Sequence, residues 1–241
     1  MKWPKWDNLV YIDLFASAGV SKLVDNQKLI KTSSLIAASV PNKFNKYIVC
    51  EEIKELIDAL EKRVGLYNKE DINKFEFIKG DCNKKVDKII SSIPDGKTLN
   101  FCFVDPYNFD IEFETIKKLA SGGRKIDFLI LIATHMAGHR NYHNYMKDEN
   151  STIEKFINNK NWRIPFKNGE KTIKDFGNFL AESYDENMKQ IGYIIEPKLK
   201  CQIKTNDGHT LYYLAFYSKN QLGNEFYKKI EIYQNPQLKL F

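Results

Sequence analysis

Five strand-like runs, most of them apolar, alternate with segments whose apolar residues recur at helical spacing, and this alternation narrows the fold more than any other feature of the chain. The runs are Val10–Ala16, Lys46–Cys50, Phe75–Lys79, Leu99–Val104 and Ile126–Ala133. Between them lie Thr32–Val40, Glu52–Val64, Lys84–Ile93 and Ile111–Leu119. In the second of these, Ile53, Leu56, Ile57, Leu60 and Val64 fall on one helical face. Strands that are apolar throughout are buried on both faces. Strands separated by helices form βαβ units with a parallel sheet and right-handed crossovers. The end of the chain reads differently. Gly192–Lys204 and Thr210–Lys219 are strand-like and are joined through Asn206-Asp207-Gly208, a strong hairpin signal. A short helix is expected near Glu225–Ile230, and Ser151–Gln190 reads as mostly helical. The expected fold is α/β: a Rossmann-like, doubly wound, mostly parallel sheet closed by a C-terminal antiparallel hairpin. A length of 241 residues suits one domain, with residues 134–190 as a helical insertion facing substrate or partner.

Composition sets outer limits. The chain is 43% hydrophobic and 28% charged, enough apolar matter for a core. The net charge of +6 favours approach to a polyanion, but a Lys-rich composition with no polyanion involved explains it equally well. Cys50, Cys82, Cys102 and Cys201 show no C-x-x-C spacing, so no zinc knuckle is expected, and free thiols point to a reducing cytoplasm. No signal-peptide core and no apolar run long enough to span a bilayer are visible, so no membrane association is expected.

In open α/β sheets, ligands bind beyond the carboxyl ends of the strands, and here four consecutive strand ends carry acidic or small residues. The first gives Asp13-Leu14-Phe15-Ala16-Ser17-Ala18-Gly19. Small residues let the backbone approach a ligand, and Gly19 can take a positive φ. Ser17 is expected to avoid positive φ. The second strand ends at Glu51, an acid placed to bind two ribose hydroxyls, with Glu52 solvated on the following helix. The third leads into Gly80-Asp81-Cys82-Asn83. There Asp81 can accept from an adenine amino group or can cap the next helix, and Asn83 is a second candidate cap. The fourth runs into Asp105-Pro106-Tyr107-Asn108. Asp105 can accept a hydrogen bond from an exocyclic amine, Pro106 aims its carbonyl, and Tyr107 offers a ring for stacking a base. An amine attacking a sulfonium needs orientation and charge stabilisation more than a strong base.

After the fifth strand, Arg140, Tyr142 and Tyr145 are candidate contacts to phosphate and base. His135, His139 and His143 share i, i+4, i+8 spacing, but Gly138 interrupts the segment and H-E-x-x-H is absent, so no metal site is expected. Trp162, Arg163 and Lys167 form a second basic-aromatic cluster in which Trp162 reads as a packing anchor.

The order DLFASAG, an acid after the second strand, GDCN after the third and DPY after the fourth resembles class I methyltransferases. DPY is similar to the D/N-P-P-Y/F motif of amino-group nucleic-acid methyltransferases, with one proline missing. The series resembles more closely the three-Cys-motif partner (TcmP) family, whose members read like YIDLFAGPG, GDxN and FIDPYG, over residues 10–230. TLYYLAFYSKNQLGNEFYKKI resembles the family's closing hairpin and helix. The family's AGPG is Ala16-Ser17-Ala18-Gly19 here, so one glycine and one proline are replaced.

The resemblance implies a methyltransferase that uses S-adenosylmethionine on an amino nitrogen of a nucleic-acid base. It places the cofactor on Asp13, Phe15, Ala16, Gly19, Glu51, Asp81 and Cys82. It assigns catalysis to Asp105, Pro106 and Tyr107; substrate contact is expected of Asn108 and, from their chemistry and position, of Arg140, Tyr142 and Tyr145. It also implies a partner protein bearing a three-cysteine motif. Two alternatives stay open: a non-catalytic partner subunit, favoured by the altered AGPG turn and the single-proline DPY, and a magnesium-dependent hydrolase or nuclease built on Asp13, Asp81 and Asp105.

Overall fold

The computed structural model describes residues 5–134, 140–196, 200–204 and 210–233. Its seven-stranded, mostly parallel sheet is flanked by helices, the expected Rossmann-like α/β class. The chain divides into two compact units, Met1–Val104 with Ser121–Ile126, and Asp105–Ala120 with Asp127–Phe241.

The first unit holds β1 (Asn8–Asp13), β2 (Val20–Lys22), β3 (Leu29–Lys31), α1 (Ser33–Ala37), β4 (Lys46–Glu51), α2 (Lys54–Tyr67), β5 (Phe75–Lys79), α3 (Cys82–Ser91) and β6 (Thr98–Val104). Strands β4 and β6 both pair in parallel with β1, and β5 pairs in parallel with β4, giving the order β5-β4-β1-β6. The last four residues of β1 and the middle four of β4 are buried, which explains their unbroken apolar sequence. Across one sheet face, Tyr47 stacks on Phe75 at 4.4 Å and Tyr11 meets Tyr47 at 6.2 Å. Leu35, Ile57, Leu60 and Val64 close the same core from α1 and α2.

Several boundaries differ from the sequence expectation. The first strand stops at Asp13, because Leu14 and Ala16 donate their N–H groups sideways to Phe103 and Cys50 and so begin a loop. The β2–β3 hairpin was not anticipated: each strand has three residues and is largely exposed, too short for periodicity to register. Helix α1 is shorter than Thr32–Val40. Helix α3 begins two residues early, because Asp81, not Asn83, is its cap and accepts the Asn83 N–H at 2.9 Å.

The second unit holds α4 (Phe113–Ala120), most of β7 (Lys125–Ile132), α5 (Arg140–Tyr145), α6 (Thr152–Phe156), α7 (Ile164–Lys167), α8 (Phe176–Gln190), β8 (Lys200–Lys204), β9 (Thr210–Tyr217) and α9 (Gln221–Tyr233). Strand β9 pairs antiparallel with both β7 and β8, which supplies the expected closing hairpin. Its Asn206-Asp207-Gly208 turn lies outside the described residues. Among the described residues of Gly192–Lys204, Lys200–Lys204 is a strand and Ile194 makes one isolated bridge to Ser218. The helical segments pack through aromatics: Phe109, Phe113, Phe156, Trp162, Phe176 and Tyr184 are buried and in ring contact. Arg163 is also buried, and its guanidinium donates to the carbonyls of Tyr145, Lys147 and Asn150. Trp162 is therefore the packing anchor expected, and Arg163 is its structural companion, committed to backbone rather than to phosphate.

Candidate functional site

Because β1, β4, β5 and β6 are parallel, Asp13, Glu51, the Gly80-Asp81 turn and Val104 all leave the same edge of the sheet. Asp13 is completely buried. Its Oδ2 accepts from the hydroxyls of Tyr11 (3.0 Å), Ser33 (2.7 Å) and Ser34 (2.8 Å), and its Oδ1 accepts from the Phe15 N–H at 3.3 Å. Burial raises its carboxyl above the usual range, and these four donors pull it back. Asp13 therefore ties the start of α1 to the end of β1. Its bearing on a ligand is through the loop it shapes, with Phe15 half-buried and Ala16 buried within that loop. Ser33 and Ser34 were missed as site-forming residues. The tandem hydroxyls are visible in the sequence, but that they meet an acid twenty residues earlier is not.

The loop turns on two left-handed residues. Gly19 has φ +79°, and Ser17 has φ +52°, contrary to the expectation that a serine would stay out of that region. The Ser17 N–H donates to Glu51 Oε2 at 2.9 Å. A charge-assisted bond of this kind offsets the roughly 1–2 kcal/mol that a non-glycine residue loses in the left-handed region. The missing glycine has thus not opened the turn. Replacing Ser17 by Gly should change stability by less than about 1 kcal/mol. Replacing it by Val, whose branched Cβ tolerates positive φ poorly, should cost about 1–3 kcal/mol. Denaturant melts of the two variants check this, and equal stability of wild type and Ser17→Val would refute the strained turn.

Glu51 joins two loops. Besides Ser17, its carboxylate accepts the Ile53 N–H through Oε1 at 3.0 Å, and its own carbonyl accepts the Gly80 N–H at 2.9 Å. A carboxylate offers about four acceptor positions, so two backbone donors leave capacity for a pair of ligand hydroxyls. Thr32, whose N–H donates to the Gly19 carbonyl, has a buried hydroxyl with no partner among the described residues. An acceptor with spare capacity and an orphaned hydroxyl flanking the same glycine loop fit a polar, ribose-bearing cofactor. Asp81 caps α3 and lies 3.2 Å from the exposed Lys84 ammonium. Cys82 is buried, and burial pushes its thiol up; the Cys50 thiol is raised to about 12, first by burial and then by the charge of Glu51. Neither is a thiolate nucleophile at neutral pH.

In the second unit, Asp105 follows β6 directly and is exposed, Pro106 is buried, and Asn108 is half-buried. Tyr107 is 90% exposed, an unusual position for a large ring. Tyr212 on β9 was not foreseen. Its phenol is raised by burial and then by the charge of Asp105, which places the two side chains within electrostatic reach. Arg140 starts α5 and is exposed, whereas Tyr142 packs edge-on against Phe166 and Phe176. Tyr145 is buried against Phe109 and Phe176, which makes it a packing residue and not the base contact expected. His135 and His139 lie outside the described residues, and His143 is exposed. No group of three or more His, Cys, Asp or Glu among the described residues is arranged to hold a metal.

No family model matches the chain, and no curated protein matches it either. Likeness appears among solved structures. Protein LPL1258 from Legionella pneumophila aligns with a TM-score of 0.52 at 10% identity, covering 96% of this chain and 86% of that one. The likeness establishes a shared fold. The O-methyltransferase TomG from Streptomyces achromogenes, solved with S-adenosylmethionine, aligns at a TM-score of 0.47 and 10% identity, over 88% of this chain and 74% of its own. An O-methyltransferase from Bacillus cereus, solved with S-adenosylhomocysteine, aligns at 0.48 and 12%, with 88% and 74% covered. No helix among the described residues is long and apolar enough to cross a membrane.

Proposed function

We propose that this chain is an S-adenosylmethionine-dependent methyltransferase acting on an amino nitrogen of a nucleic-acid base. The observation that carries the reading is Glu51. It sits at the carboxyl end of β4, is held by the Ser17 and Ile53 N–H groups, and keeps acceptor capacity beside a left-handed glycine turn. Glu51 binds the ribose hydroxyls, the Phe15–Gly19 loop lies along the cofactor, and the Asp81–Cys82 turn meets the adenine. Asp13 acts at one remove, by fixing the loop. The cofactor, when bound, supplies an electrophilic methyl group. The substrate side belongs to Asp105, Pro106 and Tyr107. Asp105 accepts a hydrogen bond from the attacking amine and stabilises the positive charge that grows on it. Pro106 restricts Asp105 to extended backbone and directs its own carbonyl. The exposed Tyr107 ring stacks on the base, with Asn108 at its side, and a base within a duplex leaves the stack to reach it. Arg140 and Tyr142 extend the substrate contact, and residues 134–190 face substrate or a partner protein, in keeping with the resemblance to three-Cys-motif partner proteins.

The hydrogen-bonded Ser17 turn weakens one of the two grounds for a non-catalytic module, the altered AGPG sequence; the other, the single proline of Asp105-Pro106-Tyr107, stands. The buried Asp13 carboxylate, surrounded by four protein donors, weakens the hydrolase alternative, which needed it as a cation ligand. Glu51→Ala should weaken S-adenosylmethionine binding by about 1.5–3 kcal/mol, roughly 10- to 150-fold, through loss of charge-assisted hydrogen bonds. Calorimetric titration of the variant, alongside a thermal melt to confirm folding, makes the test. Unchanged affinity would remove Glu51 from the site and the reading with it.

A further inference from the structure

A cavity lies wholly within the first unit, at the end of the sheet away from Glu51. Its volume is about 420 Å³, and its walls include Trp6, Ile93, Pro94, Lys97, Arg124 and Lys125. Trp6 precedes β1, Lys97 precedes β6 and Lys125 begins β7, so the cavity opens at the amino ends of these strands. The six-residue β1 puts it about 17 Å from Asp13, too far to belong to the cofactor loops.

The chemistry of this cavity is two-sided. Lys97, Arg124 and Lys125 supply three positive charges, against one carboxylate in the wall, that of Asp95. The carboxylate of Asp7, which accepts the Lys97 N–H at 3.0 Å and lies beside Gly96, adds a second negative charge at this edge, so three cations face two anions. Both lysines are exposed, and among the described residues neither is in an ion pair. Arg124 donates to Ser121 Oγ at 3.1 Å, which holds its guanidinium on the same rim. Gly122 and Gly123, at φ +66° and +73°, form a turn without side chains on that rim, and a Cβ at Gly123 would meet nothing within 4 Å. Backbone can therefore approach an anion closely there. The remaining wall is apolar and aromatic: Ile90, Ile93 and Pro94 are half-buried, and so is the Trp6 ring, which carries the Lys5 ammonium 5.4 Å from its centroid.

An aromatic face, an apolar wall and a cationic rim in one cavity of this size match a single nucleotide. We propose that this cavity binds a nucleoside phosphate, with the base stacked on Trp6 and the phosphate held by Lys97, Arg124 and Lys125. The nucleotide is either free or part of a single-stranded nucleic acid. In the second case it anchors a strand at a distance from the reacting base, and it supplies a contact that the first unit otherwise lacks. The proposal is independent of the cofactor reading, because the two sites share no residue.

The test is calorimetric titration of the whole chain at low salt with uridine 5′-monophosphate and, separately, with a single-stranded uridine decamer. Saturating S-adenosylhomocysteine is present in both, so that a failure of the cofactor reading and a failure of this one stay distinguishable. Both probes should bind, and Lys97→Ala/Lys125→Ala, which alters two exposed side chains, should weaken both by about tenfold or more. Trp6→Ala should weaken the nucleotide while leaving the protein folded by thermal melt. A decamer that binds more tightly than the mononucleotide, with steep salt dependence, identifies a strand as the ligand; equal affinities identify a free nucleotide. No binding of either probe, or binding that the double lysine variant leaves unchanged, overturns the proposal.

Discussion

Asp105→Ala should lower methyl transfer by about two orders of magnitude or more, while cofactor affinity and the melting curve stay close to wild type. Loss of a group that orients and stabilises the transition state has this scale, near 2.7 kcal/mol. The residue is exposed, follows a seven-residue strand buried at alternate positions, and is held extended by the Pro106 ring, so its removal leaves no cavity. Asp105→Asn should be milder, since an amide oxygen still accepts the amine hydrogen bond. Tritiated S-adenosylmethionine with pooled RNA and DNA gives the readout. Equal incorporation by wild type and Asp105→Ala would take catalysis away from this strand end.

Gly19→Ala should be among the most damaging substitutions of a small residue, costing about 2–5 kcal/mol. Two effects add. The backbone sits at φ +79°, where a Cβ costs roughly 1–2 kcal/mol. The new Cβ would also lie 2.6 Å from Leu60 Cδ1 and 3.1 Å from Leu35 Cδ1, and overpacking of a core costs about 1–3 kcal/mol. Leu60 and Leu35 are both fully buried and have little room to yield. For a domain of this size the melting temperature should drop by about 5–15 °C, with cofactor affinity reduced as the loop shifts. A melting temperature within a degree of wild type would show that the turn is not held as described.

The strands that position the site could be read from the sequence because each is a short apolar-rich run between helical segments; burial on both faces leaves the clearest signature in β1 and β4, whereas β5 and β6 are only partly buried. The sites at their ends were legible as residue types, since an acid after an apolar run has few structural explanations. What the acids touch was not legible. Asp13 resembles a ligand residue until Ser33 and Ser34, twenty residues away, are seen to fill its lone pairs. Ser17 resembles a lesion in the turn until Glu51, thirty-four residues on, is seen to receive its N–H. Tyr145 resembles a substrate contact because alternating aromatics in a basic segment look the same whether they face solvent or a core. The hairpin β2–β3 left no periodic trace in three-residue strands. The misses at Asp13, Ser17 and Tyr145 concern partners far along the chain, which one-dimensional pattern does not record.

The most direct measurement is titration calorimetry of the purified chain with S-adenosylmethionine and S-adenosylhomocysteine. One molecule should bind per chain, with micromolar or tighter affinity, and Glu51→Ala should weaken both ligands in parallel because the ribose contact is common to them. Absence of heat with both ligands, confirmed by melting temperatures that neither ligand raises, would contradict the assignment of this fold's loop edge to an adenosyl cofactor.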